Sequence, residues 1–152
     1  MNTTDTQLGT TIKHISAEQT YKVRQEVLRK GKPISSCYFQ GDEDEGTFHL
    51  GIFSKEKILG VATFLKNKND VFSESNQYQL RGMAILPQFQ GSKLGKKLLF
   101  KAEDILGGNV LLWFNARESA QGFYSKYGYE VSGTAFEIEG IGRHFLMFKK
   151  IN

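Results

Sequence analysis

The sequence predicts a mixed α/β domain built on a central sheet with both antiparallel and parallel neighbours. Three observations point there. Period-two and period-3.6 apolar patterns succeed one another in the order strand, helix, three strands, helix, strand, helix, two strands. Residues 77–114 read as strand, helix, strand, the unit that links parallel neighbours by a right-handed crossover. The run Val110, Leu111, Leu112, Trp113, Phe114 is apolar throughout, as in a strand covered on both faces.

Residues 1–9 are polar and expected to fray, leaving residues 10–152 as a single domain. Residues 11–15 alternate as a short strand. Ser16-Ala17-Glu18-Gln19 is a Ser-x-x-Gln capping box. It opens a helix whose apolar positions Val23, Val27 and Leu28 recur at helical spacing, and Gly31 and Pro33 end it. Residues 31–46 are irregular and carry the acidic run Asp42-Glu43-Asp44-Glu45. The run lacks the glycine and distal glutamate of a calcium loop and reads as solvated. Residues 47–53 and 57–65 form a hairpin around the polar turn Ser54-Lys55-Glu56. A polar loop, 67–76, leads to the strand 77–86, which Pro87 stops.

Leu94, Leu98, Leu99, Ala102, Ile105 and Leu106 then form one face of a helix. Lys93, Lys97 and Lys101 line a second, solvated side, and Gly107-Gly108 ends the helix. After the apolar strand, Asn115 is expected to cap a further helix, with Glu118 completing the box. The buried stripe of that helix is Ala120, Phe123, Tyr124 and Tyr127, and Gly128 closes it. Residues 129–139 and 143–149 form the last two strands about Gly140-Ile141-Gly142.

Composition narrows the function. The single cysteine, Cys37, allows no internal disulfide and reads as a small buried or half-buried residue, and no metal-ligand spacing occurs. The first residues have neither the basic start nor the apolar run of a signal peptide. The longest apolar run, residues 110–114, is far too short to span a bilayer. A soluble, cytoplasmic protein is expected. The net charge of +4 suits an anionic ligand. No Lys/Arg cluster interleaves with aromatics, so the charge does not argue for nucleic acid.

The segment from Leu80 to Leu99 carries the most information. A strand enters a tight, glycine-containing loop that opens a helix. The first N–H groups of a helix lack internal acceptors and lie at the positive end of its dipole. Small residues let a phosphate approach them, so residues 88–99 make an anion cradle. No Gly-Lys-Ser/Thr ending and no Gly-x-Gly-x-x-Gly occurs, which sets aside P-loop and dinucleotide folds.

This stretch resembles the acyl-CoA motif of the GNAT N-acetyltransferase superfamily, Gln/Arg-x-x-Gly-x-Gly/Ala after a strand ending in Pro. Gln90 and Gly95 match its first and last positions, and Lys93 stands where the family usually has Gly. Ala120-Gln121-Gly122-Phe123-Tyr124-Ser125-Lys126-Tyr127-Gly128-Tyr129 resembles the family's Ala-x-x-Phe/Leu-Tyr-x-Lys-x-Gly-Phe/Tyr. The family often has Asn where Arg117 stands here, and the neighbouring Asn115 is a substitute for it unless it serves only as a cap. The ending, with Glu137, Gly140, Ile141, His144 and Met147, is similar to a bacterial subgroup without an agreed substrate.

The resemblance implies a single-domain GNAT-like fold with antiparallel N-terminal strands and a β-α-β crossover that binds coenzyme A. It implies acetyl-CoA as cofactor, held by Met83, Ala84, Ile85, Gln90, Gly91, Ser92, Lys93, Leu94, Gly95, Lys96, Asn115 and Tyr124. The reaction implied is direct attack of a primary amine, small-molecule or peptide, in a ternary complex. Backbone N–H groups of Met83–Ile85 would face the oxyanion, where the family carries a splayed bulge, and Tyr124 would be the general acid.

For the base, His144 competes with a purely structural role for the same residue. Glu137 and Glu139, two apart on one strand face, would shape a cationic-substrate site or be plain surface carboxylates. Arg81 either binds an acidic group on the substrate or is solvated. His49, between Phe48 and Leu50, is sheet core or substrate wall. No partner nucleic acid or membrane is expected, and the chain is a monomer or homodimer. The second reading is an acyl-CoA-binding sensor or scaffold with impaired catalysis.

Overall fold

The computed structural model describes residues 9–152. The segment expected to fray lies, up to residue 8, outside the described residues. Seven strands occur: β1 Thr10–Ile15, β2 Phe48–Ser54, β3 Lys57–Lys66, β4 Gln77–Ile85, β5 Val110–Arg117, β6 Glu130–Ile138 and β7 Gly142–Ile151. The helices are α1 Tyr21–Leu28, α2 Leu94–Leu106 and α3 Gln121–Lys126. Hydrogen-bonded neighbours follow the order β1-β2-β3-β4-β5-β7-β6. The fold is the mixed α+β arrangement the sequence predicts. No helix among the described residues is long and apolar enough to cross a membrane.

The contacts divide the chain into two compact units. The first comprises the chain up to Leu65 with Leu80–Ile105. Here β1, β2 and β3 pair antiparallel, with Ser54 opposite Lys57 at the hairpin turn. Ser16 and Gln19 form the reciprocal box: Ser16 N–H donates to Gln19 Oε1 at 2.9 Å, and Gln19 N–H to Ser16 Oγ at 3.3 Å. The box opens a 3-10 turn, Glu18–Thr20, that runs into α1. Val23 of α1 packs with Val61, Ala84 and Leu86. On α2 the stripe Leu94, Leu98, Leu99 and Ala102 is buried, each leucine contributing about 2 kcal/mol of apolar transfer. Ile105 departs from the expected face: it is exposed, because the stripe drifts off the packed side in the last turn.

A buried polar hub holds this unit together, and it corrects the reading of the acidic run as wholly solvated. Asp42 is buried and pairs with Arg24, which has no exposure at all. Arg24 Nη1–H and Nη2–H donate to the two Asp42 carboxylate oxygens at 2.7 and 3.0 Å. The same guanidinium donates to the Cys37 carbonyl at 2.7 Å and to Thr63 Oγ1 at 2.8 Å. Thr63 Oγ1 lies 2.7 Å from His49 Nδ1, and His49 Nε2 lies 3.0 Å from the Asp42 carbonyl. A carbonyl only accepts, so Nε2 carries the hydrogen and Nδ1 accepts from the Thr63 hydroxyl. One connected set of hydrogen bonds thus pins loop 37–42 to α1, β2 and β3. Cys37 is buried and free, as expected, and His49 belongs to the core.

The second unit is Lys66–Gln79 with Leu106–Asn152. Gln77–Gln79, the start of β4, pair parallel with Leu111–Trp113, and β5 pairs antiparallel with β7 on its other side. That two-sided pairing is why residues 110–114 are buried throughout. β5 runs on to Arg117, opposite His144, three residues beyond the apolar run. Asn115 is therefore an exposed strand residue opposite Leu146 and caps no helix. The ladder with β7 outcompetes the local capping signal. The following 3-10 turn, Glu118–Ala120, has Arg117 before it and no side-chain cap. Loop 67–76 is organised by Gln77, whose buried amide donates to the Glu74 carbonyl at 2.8 Å and accepts from Asn69 N–H at 2.8 Å. The residues expected as a buried stripe on α3 are only half-buried.

Candidate active site

The loop between β4 and α2 is shaped by three left-handed residues. Gly82, inside β4, has φ +63; Gly91 has φ +88; Lys93 has φ +65. A left-handed residue departs from the regular extended conformation, so the backbone of β4 is irregular at Gly82, just before Met83, while the strand continues to Ile85. A Cβ at Gly82 would meet the Phe39 ring at 2.9 Å, a second reason for glycine there.

After β4 a 3-10 turn, Pro87–Phe89, reverses the chain. Gln90 fixes this turn: its side-chain amide donates to the Ile85 carbonyl at 2.9 Å, and its backbone N–H to the Pro87 carbonyl at 3.3 Å. Gln90 therefore holds the turn with one of its two side-chain amide hydrogens. Space is open where a Cβ on Gly91 would stand. The Lys97 N–H to Lys93 carbonyl bond, 3.2 Å, closes the first turn of α2. The first amides of α2, Leu94 and Gly95, precede every acceptor the helix can offer them. This arrangement of open space beside Gly91, helix-start amides and dipole fits a pyrophosphate.

Lys93 occupies the position where the family usually has glycine, and its backbone explains that preference. A non-glycine residue pays about 1–2 kcal/mol for the left-handed conformation. Its side chain is exposed. Lys93→Gly relieves this strain and restores only about 0.4–1 kcal/mol of unfolded-state entropy. Thermal unfolding should therefore show a variant more stable by up to about 1 kcal/mol, and a lowered melting temperature would contradict the assignment of strain.

In the second unit, Tyr124 lies on α3 with its ring centroid 4.3 Å from that of Phe114 and 5.0 Å from that of Phe123. The helix ends in a Schellman motif around Gly128 (φ +95): Tyr129 N–H donates to the Tyr124 carbonyl at 3.2 Å and Gly128 N–H to the Ser125 carbonyl at 3.1 Å. Although Tyr124 as a whole residue is half-buried, its phenol is desolvated against these rings, which pushes it up to about 12. It stays protonated at neutral pH and has a proton to give.

His144 is buried on β7, opposite Arg117 on one side and Phe136 on the other. Its Nδ1 lies 2.8 Å from the Gly142 carbonyl, so Nδ1 carries the hydrogen. Nε2 is then the basic nitrogen, with no hydrogen-bond partner among the described residues. Glu137 is exposed opposite Arg143. Glu139 lies beyond the end of β6 at Ile138, in the turn, so the expected shared strand face with Glu137 does not exist. The shallow cavity between Glu74–Asn76 and Lys150–Asn152 contains none of the predicted residues.

Met83 to Ile85, Gln90 to Lys96 and Arg81 thus all fall in the first unit, and Asn115, Tyr124, Glu137, Glu139 and His144 in the second. Sequence reasoning missed Arg24, Arg29, Phe39 and Asp42. The available signal was a charge, Arg24, inside the apolar stripe of α1 and directly after Val23.

This fold, with a left-handed glycine inside β4, a glycine turn and a helix start, is that of the GNAT class, and residues 13–151 match the model of the acetyltransferase (GNAT) domain. The chain belongs to the GNAT acetyltransferase family. A relative in Bacillus subtilis (strain 168), described as the uncharacterized N-acetyltransferase YitI, is 37% identical over 142 residues, covering 92% of this chain and 95% of that protein. Among solved structures, an acyl-CoA N-acyltransferase from Pseudomonas aeruginosa is similar in fold, with a TM-score of 0.69 and 21% identity over 93% of this chain and 99% of that one. An aminoglycoside 6'-N-acetyltransferase complexed with coenzyme A has a TM-score of 0.71 at 11% identity, over 93% and 97% of the two chains.

Proposed function

We propose that this chain transfers an acetyl group from acetyl-CoA to a primary amine. The observation that carries the reading is the turn Gln90–Gly95, with its left-handed Gly91 and Lys93 leading into the start of α2 and open space beside Gly91. Family membership and a fold neighbour bearing coenzyme A support the identity of that anion. Acetyl-CoA supplies the acetyl thioester. The amides at the start of α2, Leu94 and Gly95, hold its pyrophosphate, and the segment Met83–Ile85 pairs with the pantetheine arm as an added strand does. His144 Nε2 takes the proton that the amine loses as the N–C bond forms. Tyr124 Oη gives its proton to the thiolate that leaves as the C–S bond breaks. The acceptor, in this reading, is a small-molecule or peptide amine met in the cytoplasm.

Gly95→Glu tests the cradle. A carboxylate at the second residue of α2 opposes the pyrophosphate both sterically and electrostatically. Calorimetric titration with coenzyme A should show binding lost in this variant and retained in the parent. Equal affinities would place the cradle elsewhere.

A further inference from the structure

Three guanidinium groups of the first unit surround one aromatic ring. The Cζ atoms of Arg24, Arg29 and Arg81 lie 4.0, 5.2 and 5.4 Å from the centroid of Phe39. Their charges are not neutralised alike. Arg24 is bound to Asp42 through both terminal nitrogens. Arg29 and Arg81 meet no carboxylate at ion-pair distance among the described residues. Each makes one hydrogen bond through Nη1, Arg29 to the Leu28 carbonyl at 3.1 Å and Arg81 to the Gln40 carbonyl at 3.1 Å. The Nε and Nη2 donors of both remain available, and both side chains are only half-buried.

Two further observations mark this cluster as short of an anion. Arg24 Nε is buried with no acceptor, and it lies 3.4 Å from where a Cβ on Gly82 would stand. The Arg81 guanidinium is held below its ordinary pKa chiefly by burial; the charge of Asp42 opposes this, and the charges of Arg24 and Arg29 lower it further. Like charges gathered around one ring repel one another, and cation–π attraction to the ring offsets part of that repulsion. A ligand oxyanion relieves that repulsion and fits the planar fork of an arginine with two parallel hydrogen bonds.

Position in the chain says which ligand would bring the anion. Arg81 directly precedes Gly82 in β4, and Met83 follows two residues on. The oxyanion site is therefore carried by the same strand as the segment assigned to the acyl arm.

We propose that Arg29 and Arg81, over the face of Phe39, bind the oxyanion group of the acceptor, so that the acceptor is a small amine bearing a carboxylate or phosphate. This rests on the transferase reading above for its link to chemistry, but the oxyanion site itself does not.

Two measurements separate the claims. With the full chain saturated by coenzyme A, the arginine Nε–H NMR signals are followed as acetate, and separately inorganic phosphate, is added. Saturable shifts of the Arg29 and Arg81 signals are expected, and the tighter of the two anions names the group. Signals unmoved by either anion, or moved only before coenzyme A is added, would overturn the site. Thiol release is then compared for matched acceptors: amino acids against their C-terminal amides, and phosphoethanolamine against ethanolamine. The anionic member of a pair should be favoured about tenfold or more in kcat/KM, the gain of one bidentate contact. Arg81→Gln and Arg29→Gln should each pull that ratio toward one. Equal use of both members, or a ratio untouched by either variant, would overturn the acceptor assignment. Arginine shifts without thiol release from any amine would leave the oxyanion site standing and remove the transferase reading.

Discussion

Arg24→Met should destabilise the protein by about 3–5 kcal/mol in denaturant unfolding, the cost of leaving one member of a buried ion pair alone. Asp42 would keep a single backbone donor, the Phe39 N–H at 3.0 Å, and lose both guanidinium contacts. Thr63 and the Cys37 carbonyl would lose a partner as well. The double variant Arg24→Met, Asp42→Leu should recover much of the loss, because it removes the stranded charge. The same pair predicts an acid dependence. Burial would raise the Asp42 carboxyl, but the hydrogen bonds and charge of Arg24 outweigh it and hold the group below its ordinary value of 3.8. A depressed carboxyl contributes stability that is present above its unfolded pKa and fades as pH falls below it. In Arg24→Met that part of the acid transition should flatten. A loss under 1 kcal/mol on Arg24→Met would mean that the hub does not hold loop 37–42.

Tyr124→Phe should lower turnover by about 10²- to 10⁴-fold, the range of a positioned general acid, while leaving coenzyme A affinity nearly intact. The phenyl ring keeps its packing against Phe114 and Phe123, so the fold should tolerate the change. The phenol also has a pH signature. With its pKa raised to about 12 by burial, it favours folding fully below pH 10, and that contribution falls as pH rises from 10 toward 12, because the unfolded chain ionises first. Tyr124→Phe should remove this alkaline loss. Unchanged turnover in the variant would eliminate Tyr124 as the acid.

The features legible in the sequence were those decided by local chemistry. Ser16 and Gln19 form their box because both partners lie within one turn. Gly128 closes α3 because only the left-handed conformation admits the two Schellman bonds. The stripe Leu94, Leu98, Leu99 and Ala102 follows from helical period alone. What escaped was decided by long-range pairing. Asn115 and Glu118 carry a valid capping pattern, yet the β5–β7 ladder extends through Arg117 and overrides it. Asp42 sits in an acidic run that reads as solvated, and only Arg24, 18 residues away, makes its burial possible. Residues 88–99 were legible as a glycine-containing turn that opens a helix. That Lys93 holds a left-handed backbone there was not, since the sequence shows only the substitution and not the φ it must adopt.

The central claim is transfer of an acetyl group, and the direct test is a product measurement. The protein is incubated with acetyl-CoA and a panel of primary amines, and free thiol and acetylated amine are both followed, the latter by mass spectrometry. The account predicts that thiol and N-acetylated product appear in equal amounts with at least one amine, and that both nearly vanish in Tyr124→Phe. Acetyl-CoA bound tightly, with no acetylated amine formed from any acceptor, would contradict it.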